Sequence, residues 1–300
     1  MSRSIRARVV SDLLKLWPKQ SAAETELKIA EALRRGEKPC PPPLSLKTRH
    51  EDLPHGRVFY ANENPNAPYT VMYLHGGAYF HDFILPHWFF LEKLIRETGA
   101  ELIAPAYRLL PFATWEEAFS LLVPLYRDYA AAHPGRKIIL MGESAGGGLS
   151  LALAECFLSE GIRPPDELIL MSPWVDLAME NEAIPRYEAA DPLLSVPSLR
   201  ICARHWAGSL DLRDWRVSPV YGSLKGIRRV TVFVGTSEVF YPDITGFFSL
   251  LPPDPSNELI VGKEMNHAYP LFPIAEAKPA LEKMVRIIQR DEKGTIRSGS

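Results

Sequence analysis

One stretch constrains this chain more than any other. Ile138, Ile139, Leu140 and Met141 run straight into Gly142-Glu143-Ser144-Ala145-Gly146-Gly147-Gly148, and residues 149–159 then take up helical spacing. A buried strand that passes through a glycine turn into a helix is half of a βαβ unit. The same pairing recurs along the chain. Residues 57–60, 69–74, 102–107, 168–172, 230–234 and 259–261 read as further strands, and 86–97, 115–132 and 275–289 as helices, with Gly99, Pro134-Gly135 and Gly161 as stops. This order predicts an α/β architecture, a mostly parallel central sheet flanked by helices. Apolar strands without polar alternation fit burial on both faces.

Two segments lie outside that rhythm. Residues 1–54 read as helical to about Arg35, where Gly36 and Pro41-Pro42-Pro43 end the pattern. Within them Ile5, Val9, Leu13, Leu16 and Trp17 fall near helical spacing, which predicts an amphipathic helix rather than a secretory signal, an organellar transit peptide being the lesser alternative. Residues 177–215 contain no strand but many bulky side chains. They are expected to form an insertion that, with the N-terminal helices, makes a lid over a core of 55–176 and 216–291. Residues 292–300 are expected to be a frayed tail.

Composition narrows the partners. The 34 Lys and Arg against 36 Asp and Glu give a formal net charge of −2, so no overall basic excess recommends nucleic acid or an anionic membrane. Cys40, Cys156 and Cys202 form no CxxC pair and no ligand spacing, which argues against a disulfide framework or zinc site. No 18-residue apolar run exists to span a membrane. Cytoplasmic location is expected.

The glycine turn has the sequence and flanks of a nucleophile elbow, G-x-S-x-G. There Ser144 would sit on a strained strand-to-helix turn, with Gly142 and Gly146 sparing it from crowding. His75-Gly76-Gly77-Ala78 ends an earlier strand, as an oxyanion loop does, so Gly76, Gly77 and the amide of Ala145 are expected to donate to an oxyanion. A serine nucleophile needs a base, and the base an orienting carboxylate, in the chain order Ser, acid, His. Only His205 and His267 follow Ser144. His205 falls in the insertion, which leaves His267. Glu238 and Asp243 both follow the strand at 230–234, and Glu238, nearer the strand end, is placed ahead. Tyr79, Phe80, Phe83, Trp206, Tyr269 and Phe272 are candidates to line a substrate pocket. His81 and His87 lack the spacing of a metal site.

These motifs together resemble the hormone-sensitive-lipase-like branch of the α/β-hydrolase fold. H-G-G-A-Y is similar to that family's oxyanion motif, A-Y-R-L-L-P-F (106–112) to its D-Y-R-L-A-P segment, and G-E-S-A-G-G to its nucleophile motif. S-P-W-V-D (172–176) and D-P-L-L-S (191–195) also have counterparts there. The chain departs at Ala78 and Ala106, which stand where the family carries Gly and Asp, and at Glu238, where many members carry Asp. The resemblance implies a carboxylesterase acting on short-chain, acetyl-like esters of small molecules, with neither metal nor organic cofactor, and a possible homodimer. The residues alone leave open an amidase, formamidase or peptidase with the same triad, or a receptor on the same fold without turnover.

Overall fold

The computed structural model describes residues 3–16, 18–43 and 46–290. Trp17 and the expected tail at 292–300 lie outside them. The strands are β1 (Arg49–Leu53), β2 (Gly56–Ala61), β3 (Tyr69–Leu74), β4 (Glu101–Tyr107), β5 (Lys137–Glu143), β6 (Glu167–Met171), β7 (Val230–Gly235) and β8 (Glu258–Gly262). The helices are α1 (Ile5–Lys15), α2 (Ala22–Arg35), α3 (Leu85–Thr98), α4 (Trp115–Ala132), α5 (Ala145–Ser159), α6 (Ile184–Ala190), α7 (Val196–Ala207), α8 (Tyr241–Leu250) and α9 (Ala277–Gln289).

All eight strands join one sheet in the order β1-β2-β4-β3-β5-β6-β7-β8. The strands from β3 to β8 are parallel to their neighbours, while β1 and β2 add an antiparallel edge. Every residue of β3, β4, β6 and β7 is buried, as their largely apolar runs predict. One core layer packs α4, α5, α7 and α8 on one face, around Leu122, Phe157, Trp206 and Phe247. The other packs α3 and α9 on the opposite face, around Leu91, Leu94, Met284 and Ile288.

Three local differences from the sequence reading have plain causes. β1 falls inside the segment expected to be wholly helical or lid. Its R-H-E-D-L is polar and almost entirely exposed, so it carries no apolar signal, and only its pairing with β2 makes it a strand. The N-terminal helix is two helices, the second opened by Ser21 and Glu24 in a reciprocal capping box. α5 begins at Ala145, not Leu149, because its glycines pack against the chain rather than loosen it.

Register brings the site together. Leu74 lies beside Gly142, Glu143 beside Met171 and Gly235 beside Gly262. The loops after β3, β5, β7 and β8 therefore all open at the carboxyl edge of the sheet, where ligands of open α/β sheets bind.

Candidate active site

Ser144 stands between β5 and α5 with φ 55° and ψ −122°, a left-handed conformation costly for any side chain. The surroundings hold it there. Its N–H donates to Met171 O at 2.9 Å, and its carbonyl accepts from Gly147, Gly148 and Trp174 at 3.0, 3.1 and 2.9 Å. The flanking glycines are needed for close approach. A Cβ on Gly142 would stand 2.3 Å from Gly146 O, and one on Gly146 would stand 2.2 Å from Leu74 O.

The loop after β3 corrects one expectation. The amide of Gly76 donates to Oε2 of Glu143 at 2.8 Å and is not free for an oxyanion. The amides of Gly77, Ala78 and Ala145 make no hydrogen bond to another described residue. Gly77, Ala78 and Tyr79 all have positive φ, at 112°, 54° and 59°, so the loop turns sharply here. Glu143 Oε2 also lies 3.2 Å from Nε2 of His87. His87 Nδ1 accepts the amide hydrogen of Ile84 at 3.1 Å, so a neutral His87 carries its proton on Nε2 and donates it to Glu143. His87 was not expected at the site. Its signal was only a histidine three residues after the chain turn at Ile84.

His267 follows β8. Its loop is fixed by Ser237 N donating to Met265 O at 2.9 Å and Ala268 N donating to Ser172 Oγ at 2.9 Å. Nδ1 of His267 lies 3.0 Å from Oε2 of Glu238. A carboxylate there only accepts, so the proton sits on Nδ1 and Nε2 is left as an acceptor. Glu238 is completely buried, and burial raises its pKa against the opposing pull of His267. Burial alone would lower the pKa of His267. The hydrogen bond to Glu238 and the charges of Glu238, Glu143 and Asp191 outweigh it and raise the imidazole above its usual value.

Asp243 is elsewhere. It lies in the first turn of α8, where Oδ1 accepts from Asn181 Nδ2 at 2.8 Å. His205 lies 3.1 Å from Glu26 and joins α7 to α2 at the surface. Among the described residues, no group of three or more His, Cys, Asp or Glu side chains is arranged to hold a metal ion.

Ser144 and His267 line one cavity of about 570 Å³, together with Glu143, Gly77 and Ala78. Leu14, Thr25, Leu193, Leu194 and Leu199 cover it from α1, α2, the loop before α7 and α7 itself. Thr25 Oγ1 donates to Ser198 Oγ at 2.8 Å, which ties the two halves of that cover. Of the expected pocket residues, Phe80 and Phe272 line the cavity. The other four do not. Tyr79 stacks flat on Trp206, with centroids 4.1 Å apart, and its hydroxyl donates to Ala145 O at 3.0 Å. Phe83 stacks on Trp88, and Tyr269 is buried in the core layer with Met265. Aromatic residues beside a motif signal proximity, not direction. A larger cleft, about 910 Å³, opens beside Tyr69 and Lys137 at the opposite ends of the strands and holds none of these groups.

A serine on a strained elbow, a histidine–glutamate pair and unpaired amides at one sheet edge define the class. Residues 71–271, more than half of the chain, match the alpha/beta hydrolase fold family, and the chain belongs to that family. Within it, the chain is a hydrolase-fold protein of the hormone-sensitive-lipase-like kind. It is 32% identical to an acetyl-hydrolase of Streptomyces hygroscopicus over 176 residues, 58% of each chain. It is 30% identical to an esterase of Acinetobacter venetianus over 184 residues, 61% of each chain. The chain thus spans about three fifths of the length of these curated relatives. A solved esterase of the bacterial hormone-sensitive lipase family superposes with a TM-score of 0.78 over 96% of this chain and 98% of that one, at 22% identity, a likeness of fold.

Proposed function

We propose that the protein is a carboxylic ester hydrolase that works through an acyl-enzyme on Ser144, with short acyl chains preferred. The observation that carries this reading is the 3.0 Å contact between His267 Nδ1 and Glu238, in a cavity that also holds Ser144. It leaves Nε2 as the basic nitrogen of a histidine that lines the same cavity as Ser144.

In the first half-reaction, Ser144 Oγ attacks the ester carbonyl while His267 Nε2 takes its proton. Glu238 holds the tautomer and offsets the positive charge of the imidazolium. The amides of Gly77, Ala78 and Ala145 receive the oxyanion, each such donor being worth about 2.7–4 kcal/mol. His267 then gives its proton to the leaving alkoxide. In the second half-reaction, water attacks the acyl-enzyme by the same route and frees Ser144. The likeness to an acetyl-hydrolase and an esterase supports both the ester and the short acyl group. Leu193, Leu194, Leu199 and Phe272 offer apolar walls to the remainder of a small-molecule ester.

Hydrolysis of p-nitrophenyl esters from acetate to decanoate, beside p-nitroacetanilide, tests the reading. Activity that is highest on acetate, absent on the anilide and absent in Ser144→Ala is expected. A folded wild type inert on every ester overturns it.

A further inference from the structure

The apolar stripe of α1 faces away from the protein. Ile5, Val9, Leu13 and Leu16 are 78%, 52%, 56% and 74% exposed, whereas Ala7 and Ser11 are buried. At about 100° per residue the four exposed side chains fall within an arc of about 80°. Ala7, Val10, Ser11 and Leu14 occupy the opposite side, against the core and the cavity. The orientation is fixed, because Ser4 caps α1 while its N–H and hydroxyl donate to Glu276 of the segment before α9, at 2.6 and 2.8 Å. An amphipathic helix normally buries its larger residues. This one buries alanine and serine and presents Ile, Val and Leu to solvent.

Charge identifies what covers the stripe. Arg3, Arg6, Arg8, Lys15 and Lys19 stand against Asp12 alone over residues 3–19, in a chain whose overall formal charge is −2. Around the helix, Arg6 borders the stripe on one side, and Arg8 and Lys15 lie beyond Asp12 on the other. A second copy docked through the same face would set these cations against their own counterparts. An anionic lipid surface takes both features at once, with apolar side chains buried at the acyl boundary and cations at the headgroups.

We propose that α1 is an in-plane anchor that docks this protein on anionic lipid surfaces. No described helix is long and apolar enough to cross a membrane, so the contact is peripheral. The inference concerns where the protein binds and does not depend on what it cleaves.

Flotation of the whole chain with phosphatidylcholine vesicles, with and without phosphatidylglycerol, tests it. Binding to the anionic vesicles, weakened by salt, is expected. Val9→Ser/Leu13→Ser should lower the partition by about tenfold or more, and Arg6→Gln/Arg8→Gln should reduce the preference for phosphatidylglycerol by about tenfold. Both pairs are exposed and outside the cavity, so circular dichroism and turnover of a soluble ester should match wild type. Failure to float with either vesicle overturns the proposal, as does binding that survives the stripe substitution. A dimer in light scattering that Val9→Ser/Leu13→Ser dissociates, without vesicle binding, would assign the stripe to a second copy instead.

Discussion

Gly76 donates its amide hydrogen to Glu143 at 2.8 Å, so the residue before Ser144 holds the loop proposed to receive the oxyanion. Glu143 is buried, burial raises its pKa, and the hydrogen bonds from His87 and Gly76 together with the nearby imidazoles more than reverse that, so it stays ionised as an acceptor. Glu143→Ala would strip Gly76 and His87 of their partner. Each buried donor left unpaired costs about 1–3 kcal/mol. The loop would then be free to shift, and a misplacement of about 1 Å is worth about 10²-fold in rate. Steady-state kinetics should show kcat falling toward that extent with KM little changed, and Glu143→Gln should restore part of the loss by accepting from Gly76.

The sequence places Glu238 ahead of Asp243, and the structure separates the two by partner. Glu238 faces His267, and Asp243 faces Asn181. Glu238→Gln should lower kcat by about 10⁴-fold, the scale seen when such a carboxylate is neutralised. Asp243→Asn should leave kcat unchanged. Burial pushes Asp243 up to about 6, partly opposed by Asn181, so native stability falls as pH rises from its unfolded pKa toward 6. Asp243→Asn should therefore stabilise the protein by about 3 kcal/mol at neutral pH and by little near pH 4, read from urea unfolding at both.

What was legible in the chain follows from where its signals came from. The βαβ core could be read because β3, β4 and β7 are buried on both faces and so are mostly apolar. Ser144 could be read because only glycine fits at Gly142 and Gly146. His267 followed from the order of strands. The engagement of Gly76 could not be read, since it depends on a carboxylate 67 positions away in the chain. Nor could the inward turn of Tyr79, which rests on stacking against Trp206 from α7. The exposed face of α1 was misleading for the same reason. Periodicity finds a stripe but does not say which side the protein occupies.

Gly146 lies at the contact of α5 with β3. A Cβ there meets the carbonyl oxygens of Leu74 and His75 at 2.2 and 2.4 Å, and both are backbone atoms that cannot rotate away. Gly146→Ala should cost about 1–3 kcal/mol as α5 is pushed off the sheet. It should also reduce turnover, because the same displacement moves Ser144 relative to the loop at Gly77. Gly135→Ala, with nothing within 4 Å of the new Cβ, is the control and should leave both melting temperature and turnover unchanged.

Asp191 joins the cover of the cavity to the acid loop. Its Oδ1 accepts from Leu193 and Leu194 at 2.7 and 3.0 Å, and its Oδ2 accepts from Val239, next to Glu238, at 2.9 Å. Its charge also helps to hold the His267 pKa above the usual imidazole value, after the larger effects of burial, Glu238 and Glu143. The proposed base acts only when neutral, so kcat/KM should rise with pH through a pKa above about 6.5. Asp191→Asn removes one negative charge and should move that acid limb to lower pH. Its amide can accept on only one side, so the bond to Val239 or those to Leu193 and Leu194 are lost, at about 1–3 kcal/mol of stability. A pH–rate profile of the variant that fell in amplitude without moving its acid limb would show that Asp191 acts through the loop alone and not through its charge.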